Sequence, residues 1–200
     1  KNQCVSEIRN IPGVIMKQSK KLLKSKLLDK YPLISKKQAC LISKKQACLI
    51  YGFTTKLAGD FRYDNLEKLG TLFSIDSNNI ISMNQVHKKD VMLTKIKNKF
   101  LIVKTADCVP ILFYDPIQEI VAVCHAGWQG THLKASQEVI KTMMKTGSIP
   151  SNIIAVLGPH ICASCYDVPK ERAIKFKYFL KKNHKYFLDL GKENIDLLKK

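Results

Sequence analysis

The chain has 200 residues, 46% of them hydrophobic and 25% charged, which suffices for one domain with a closed core. Its 34 basic and 16 acidic residues give a net charge of +18, yet only Arg9, Arg62 and Arg172 are arginines. Base readout leans on the arginine fork, so the charge implies salt-sensitive adhesion to polyanions and no specific nucleic-acid partner. Apolar runs such as Ile120 to Cys124 are too short to span a bilayer, and Ile11 to Met16 is too short for a secretory signal, so no membrane partner and a cytoplasmic location are expected.

Residues 1–49 read as a basic N-terminal extension: the first 50 residues hold twelve basic and two acidic side chains. Leu22, Leu23, Leu27 and Leu28 mark a weak amphipathic helix among lysines, read as part of that extension and not as a membrane-surface anchor. Ile34 to Leu41 (ISKKQACL) is repeated letter for letter by Ile42 to Leu49. So short a tandem is a duplication and not a solenoid repeat, and Cys40 and Cys48 are assigned no chemistry.

From residue 50 to residue 200 the pattern is that of a second unit. Ile50 to Thr54 predicts a strand, and Asp64 to Gly70 a helix with Gly70 as its C-cap. Four apolar segments follow: Ile80 to Val86, Phe100 to Val103, Val109 to Tyr114, and Ile120 to Cys124. A helix is expected from Thr131 to about Lys145, with Leu133, Val139, Ile140 and Met143 on one side. Ile153 to Leu157 is a buried strand closed by Gly158-Pro159, and Pro169 to Lys182 reads as a lysine-rich amphipathic helix. Strands mixed with helices predict an α/β class, a layered α/β/α domain with a mixed sheet. Nucleotide cradles of the GxGxxG and GxxxxGK[ST] kinds are absent.

Three apolar runs end in or just before a metal-ligand side chain: Ile81 to His87, Leu101 to Cys108, and Ile120 to His125. On one sheet edge, two imidazoles and a thiolate would converge, leaving a fourth zinc position for water or substrate. The spacings of 21 and 17 residues match no local zinc motif, and a lone histidine at a strand end is as a rule structural. His125 opens His-Ala-Gly-Trp-Gln-Gly-Thr, where Gly127 and Gly130 permit a sharp turn. N–H groups between Gly127 and Thr131 would favour an anion such as phosphate; the plain alternative is a connection N-capped by Thr131. Trp128 walls a pocket or fills the core.

Seven cysteines without a secretory signal argue for thiols, catalysis or metal over a disulfide framework. Cys162 and Cys165 form CxxC, a thiol redox pair or half a zinc site, although one CxxC alone is weak evidence. His132 and His184 read as surface residues.

Asn84-Gln85-Val86-His87, Thr105-Ala106-Asp107-Cys108-Val109-Pro110-Ile111-Leu112, His125-Ala126-Gly127-Trp128, and Gly158-Pro159 through Cys165-Tyr166-Asp167-Val168 together resemble the bacterial laccase-domain family. That family was long labelled multicopper polyphenol oxidase. The resemblance covers about residues 50–200 and implies the laccase-domain (cysteine-hydrolase-like) fold. It also implies a zinc-dependent purine nucleoside phosphorylase with adenosine deaminase activity. His87, Cys108 and His125 would then bind zinc, with copper as a substitute. The implied substrates are adenosine, inosine and methylthioadenosine together with phosphate; a monomer or a homodimer is compatible with it.

The chain departs from the family pattern in three places. Thr54 to Asp60 runs almost directly into the following helix, Gln129 stands where an arginine is usual, and the family's C-terminal segment would lie beyond Lys200. The expectation is a kept metal triad with part of the substrate pocket lost. A four-copper oxidase is excluded, because only His132, His160 and His184 remain of the five histidines.

For phosphorolysis, Lys56 is the candidate to steer phosphate, beside Gly127 and Thr131. For deamination, Asp107 is the candidate proton carrier next to Cys108, since the H-x-E and P-C-x-x-C deaminase motif is absent. Two other readings remain at this level: a peptidoglycan-precursor hydrolase with Cys108 as nucleophile, and an inactive zinc-binding relative.

Overall fold

A computed structural model describes residues 3–4, 41–42, 48–49, 66–73 and 75–199. The strand expected at Ile50 to Thr54, the leucine-bearing N-terminal helix and Lys56 lie outside them. In chain order the elements are β1 (Gln3–Cys4), β2 (Leu41–Ile42), β3 (Cys48–Leu49), α1 (Leu66–Phe73), β4 (Ile80–Ser82), β5 (Asp90–Thr94) and β6 (Phe100–Ile102). They continue with β7 (Val109–Asp115), β8 (Ile120–Ala126), α2 (Trp128–His132), α3 (Ala135–Lys145), β9 (Ile154–Leu157) and β10 (His160–Ile161). The last are β11 (Asp167–Val168), α4 (Lys170–Ala173), β12 (Phe179–Lys182), β13 (Lys185–Leu188) and α5 (Leu190–Leu198).

The centre is an antiparallel sheet in the order β5-β8-β7-β9. Successive side chains on a strand face opposite sides; β7, β8 and β9 are buried almost throughout, and their alternate residues join two different clusters. Val109, Ile111 and Phe113 of β7, with Ile120, Ala122 and Cys124 of β8, join the main core. Ala135, Val139 and Met143 of α3, and Leu190 and Leu198 of α5, complete it from the same side. Tyr114, Ile154 and Val156 form a smaller cluster with Leu112 and Val121 on the opposite face. Parallel pairing occurs separately: β4 runs parallel to β6, Ile80 opposite Phe100. The domain is therefore mixed α/β, with its parallel and antiparallel pairings in different sheets.

Four local expectations are corrected. α1 continues past Gly70, which is buried where a Cβ would stand 2.6 Å from the Ile75 carbonyl oxygen; glycine permits that close return of the chain. The helix expected from Thr131 is two helices, broken at Leu133 and Lys134, and Lys134 has φ +57°. The break turns Leu133 outward, to 43% exposed, while Val139 and Met143 stay inside. Gly127, not Thr131, holds the N-cap of α2.

The helix expected over Pro169 to Lys182 shrinks to α4, and its second half forms a hairpin, β12 with β13. Asn183 and His184 both have positive φ, the two-residue turn that matches strand twist. The period-2 register of Phe179 against Leu188 overrides the helical pattern of the lysines there. β5 had no clear sequence signal, being short and opening on a charged residue.

α5 is tied to α2 by Asn194, whose buried side-chain amide donates to Thr131 Oγ1 and to the Leu190 carbonyl, each at 2.9 Å. Asn194→Ala leaves the Thr131 hydroxyl without this donor. It should cost about 1–3 kcal/mol in urea unfolding, with the fold retained.

Candidate metal centre

The site is built where the two sheets meet. After β4 the chain runs extended to Gln85, whose side chain reads the backbone of Lys104 from both sides. Its Nε2 donates to the Lys104 carbonyl at 2.7 Å, and its Oε1 accepts from the Lys104 N–H at 2.8 Å. This side-chain clamp prolongs the parallel pairing beyond the strands. It brings the turn carrying His87 against the loop that leads to Cys108, and Ile161 N–H holds that loop at the Asp107 carbonyl, 3.0 Å away.

His87 adopts φ +60°, a left-handed conformation that costs a residue with a Cβ. Asp90 compensates. Its carboxylate accepts the backbone N–H of Val86 at 3.2 Å and of His87 at 2.7 Å. In the β5–β8 register Asp90 lies directly opposite His125, and Asp90 Oδ2 is 3.0 Å from His125 Nδ1. One buried carboxylate therefore orders the turn of one histidine and the ring of the other.

The electrostatics follow from these contacts. Burial pushes the Asp90 carboxyl up. The His125 ring N–H and the backbone N–H groups of Val86, His87 and Lys88 outweigh it and hold the carboxyl below its usual range. Asp90 is thus ionised at neutral pH, so His125 Nδ1 carries the proton and Nε2 keeps its lone pair. Burial lowers the pKa of His125; Asp90 pulls it back up and the neighbouring His87 lowers it again, leaving it net below the ordinary value. The two histidine rings meet edge to face with centroids 4.8 Å apart. For Cys108, burial and then the charges of Asp107 and Asp90 all raise the thiol pKa.

His87, Cys108 and His125 each present one ligand atom, and these atoms lie within 4.8 Å of one another. Among the described residues this is the one group of three or more histidine, cysteine or acidic side chains so placed. Two imidazoles and a thiol suit a borderline-soft transition-metal ion. His125 is buried, Cys108 half-buried and His87 exposed, so the group opens to solvent on the His87 side.

Close packing explains the glycines. A Cβ on Gly127 would stand 2.8 Å from Cys108 Sγ, and one on Gly130 would stand 2.7 Å from the Lys88 carbonyl oxygen. Neither glycine has positive φ, so both serve close approach and not the sharp turn expected from the sequence. α2 thereby lies directly on the thiol and on the His87 turn.

The other sequence-derived residues divide. Asp107 is exposed beside Cys108. Thr131 is 2% exposed, with its hydroxyl donating toward the Ala126 carbonyl at 3.5 Å and accepting from Asn194. Trp128 packs against the core, and the Arg172 guanidinium sits 4.4 Å from the centre of its ring. His160 is buried with Nδ1 2.8 Å from the Gly158 carbonyl oxygen, and His132 and His184 are exposed.

Asp90, Gln85 and Arg172 were missed as site residues. Only Asp90 had a local signal, an acid three residues beyond a histidine; its second contact crosses strands.

This is a mixed α/β domain carrying a two-histidine, one-cysteine centre at the edge of its central sheet. The chain belongs to the family described as multi-copper polyphenol oxidoreductase laccase, whose model matches residues 60–200. It is 49% identical over 80 residues, 40% of its length, to the purine nucleoside phosphorylase YlmD of Bacillus subtilis. Over 115 residues, 54% of its length, it is 37% identical to the adenosine deaminase RL5 from an unknown prokaryotic organism. Those matches span 29% and 42% of the two relatives' own lengths. The crystal structure of the hypothetical protein YfiH from Bacillus licheniformis aligns with a TM-score of 0.64 at 29% identity, covering 68% of this chain and 64% of that one.

Asp90→Asn keeps the shape and removes the charge, and should weaken zinc binding by about 10- to 100-fold in competition against a chromophoric chelator. Because the Cys108 thiol is held above its ordinary pKa, an entering metal must displace its proton. Zinc affinity should therefore rise with pH through the neutral range. Calorimetry in buffers of different ionisation heat should read about one more proton released than in Cys108→Ala.

Proposed function

We propose that this chain is a zinc-dependent purine nucleoside phosphorylase that also deaminates adenosine. The observation that carries the reading is the His87, Cys108 and His125 group with Asp90 behind it, in a chain similar to proteins named for those two activities. A zinc ion held there supplies Lewis acidity and an activated water.

The chain's own residues divide the remaining work. His87, Cys108 and His125 hold the ion, and Asp90 fixes the tautomer of His125 and the turn of His87. The nucleoside enters over the exposed His87 side. Asp107, exposed beside Cys108, carries a proton to or from the purine. Phosphate is steered by charge, with Lys56 proposed from its sequence position and Arg172 from its place on Trp128. Gly127 offers backbone at the same edge, whereas the Thr131 hydroxyl is committed to internal hydrogen bonds.

The hydrolase reading, with Cys108 as nucleophile, needs a thiolate. Burial and two neighbouring carboxylates disfavour that ion in the absence of a cation, which favours the ligand role.

Zinc-loaded protein is expected to release adenine from adenosine only with phosphate, and to form inosine without it. Both rates should fall at least about 100-fold in Cys108→Ala. Zinc binding without either product would leave an inactive relative. Metal-independent hydrolysis of an amide-linked muramyl precursor would support the nucleophile reading instead.

A further inference from the structure

The Cys162 and Cys165 pair is not part of the His87, Cys108 and His125 group and has no role in the proposed reaction. The two residues bracket a 3₁₀ turn over Ala163–Cys165, with Cys162 at its N-cap. Three residues per turn place positions i and i+3 above one another, and Cys165 N–H donates to the Cys162 carbonyl at 3.0 Å. The turn brings the two sulfur atoms to 3.0 Å, about 1 Å from a disulfide bond. Ser164 Oγ lies 3.2 Å from Cys162 Sγ and 4.0 Å from Cys165 Sγ, a hydroxyl placed to hydrogen-bond either sulfur.

Cys165 is half-buried and Cys162 is 5% exposed. One sulfur is thus open to a small reagent while the other is shielded behind it. Among the described residues the metal-ligand group of three does not include this pair.

We propose that Cys162 and Cys165 form a reversible dithiol–disulfide site that reacts with low-molecular-weight disulfides. The Cys165 thiolate attacks one sulfur of the reagent, and the reagent's own S–S bond breaks. One half leaves as a thiolate and takes up a proton. Cys162 then loses its proton to solvent and attacks Cys165 Sγ, expelling the second half as a thiol. The two cysteines are oxidised by two electrons, and the reagent disulfide is reduced to two thiols.

The test treats the intact protein with glutathione disulfide, quenches with acid, alkylates under denaturing conditions and maps tryptic peptides. Both cysteines lie in the peptide Thr146–Lys170. The expected result is that this peptide becomes two mass units lighter and takes up no alkylating agent, while Cys108 and Cys124 remain alkylatable. Dithiothreitol should restore both thiols. Cys162→Ser should stop at a stable glutathione adduct on Cys165, and Cys108→Ala should still show the loss of two mass units in this peptide.

The proposal is overturned if both thiols stay alkylatable, if the wild type stops at the adduct, or if either cysteine links to Cys108. Zinc retained by Cys108→Ala and released by a thiol reagent at this pair would also overturn it. These readouts are masses and metal content of the folded chain. They stand whether or not the protein turns over nucleosides.

Discussion

A single buried carboxylate organises the candidate metal centre. Asp90 accepts from the His125 ring and from the backbone of Val86 and His87, so it works on both histidines at once. A carboxylate taken out of water must be repaid by donors, and these supply the repayment. In return, His87 keeps a left-handed backbone that a histidine adopts only under constraint, and His125 keeps the tautomer that frees Nε2. The β5–β8 register carries the cross-strand half of the arrangement: a slip of one residue would take Asp90 away from His125 and break that contact.

The third ligand depends on space more than on charge. Cys108 arrives from a loop fixed at Lys104 by Gln85 and at Asp107 by Ile161. Its sulfur fits because residue 127 has no side chain, and α2 can lie on the His87 turn because residue 130 has none. Protein interiors are packed densely enough that one methyl group in either place would move the elements apart.

The four cysteines at positions 108, 124, 162 and 165 have the same chemistry and different surroundings. Cys124 lies inside the main core, where burial and then the charge of Asp90 push its thiol up to about 12, so it serves as a small apolar side chain. Cys108 is half-buried among imidazoles and carboxylates, where a cation makes the thiolate favourable. Cys162 and Cys165 face each other across one short turn. Burial, counter-charge and pairing distance give three behaviours to one functional group.

The sequence by itself determined the ingredients of the centre. His87, Cys108 and His125 each follow an apolar run, and β4, β6, β7, β8 and β9 arise where those runs and Ile153 to Leu157 predict strands, because period and apolar content are local properties. It also determined the class of the fold and the family, whose motifs are short and contiguous. Tertiary structure decided the rest. Asp90 meets His125 only across two strands, the reason for Gly127 is the sulfur of Cys108, and Gln85 reads a backbone 19 residues away. The hairpin replacing the expected final helix, and the break at Lys134, were likewise settled by pairing and burial, which outweigh weak local preferences. Side-chain types are written along the chain, but contacts between distant residues exist only once the backbone has folded them together.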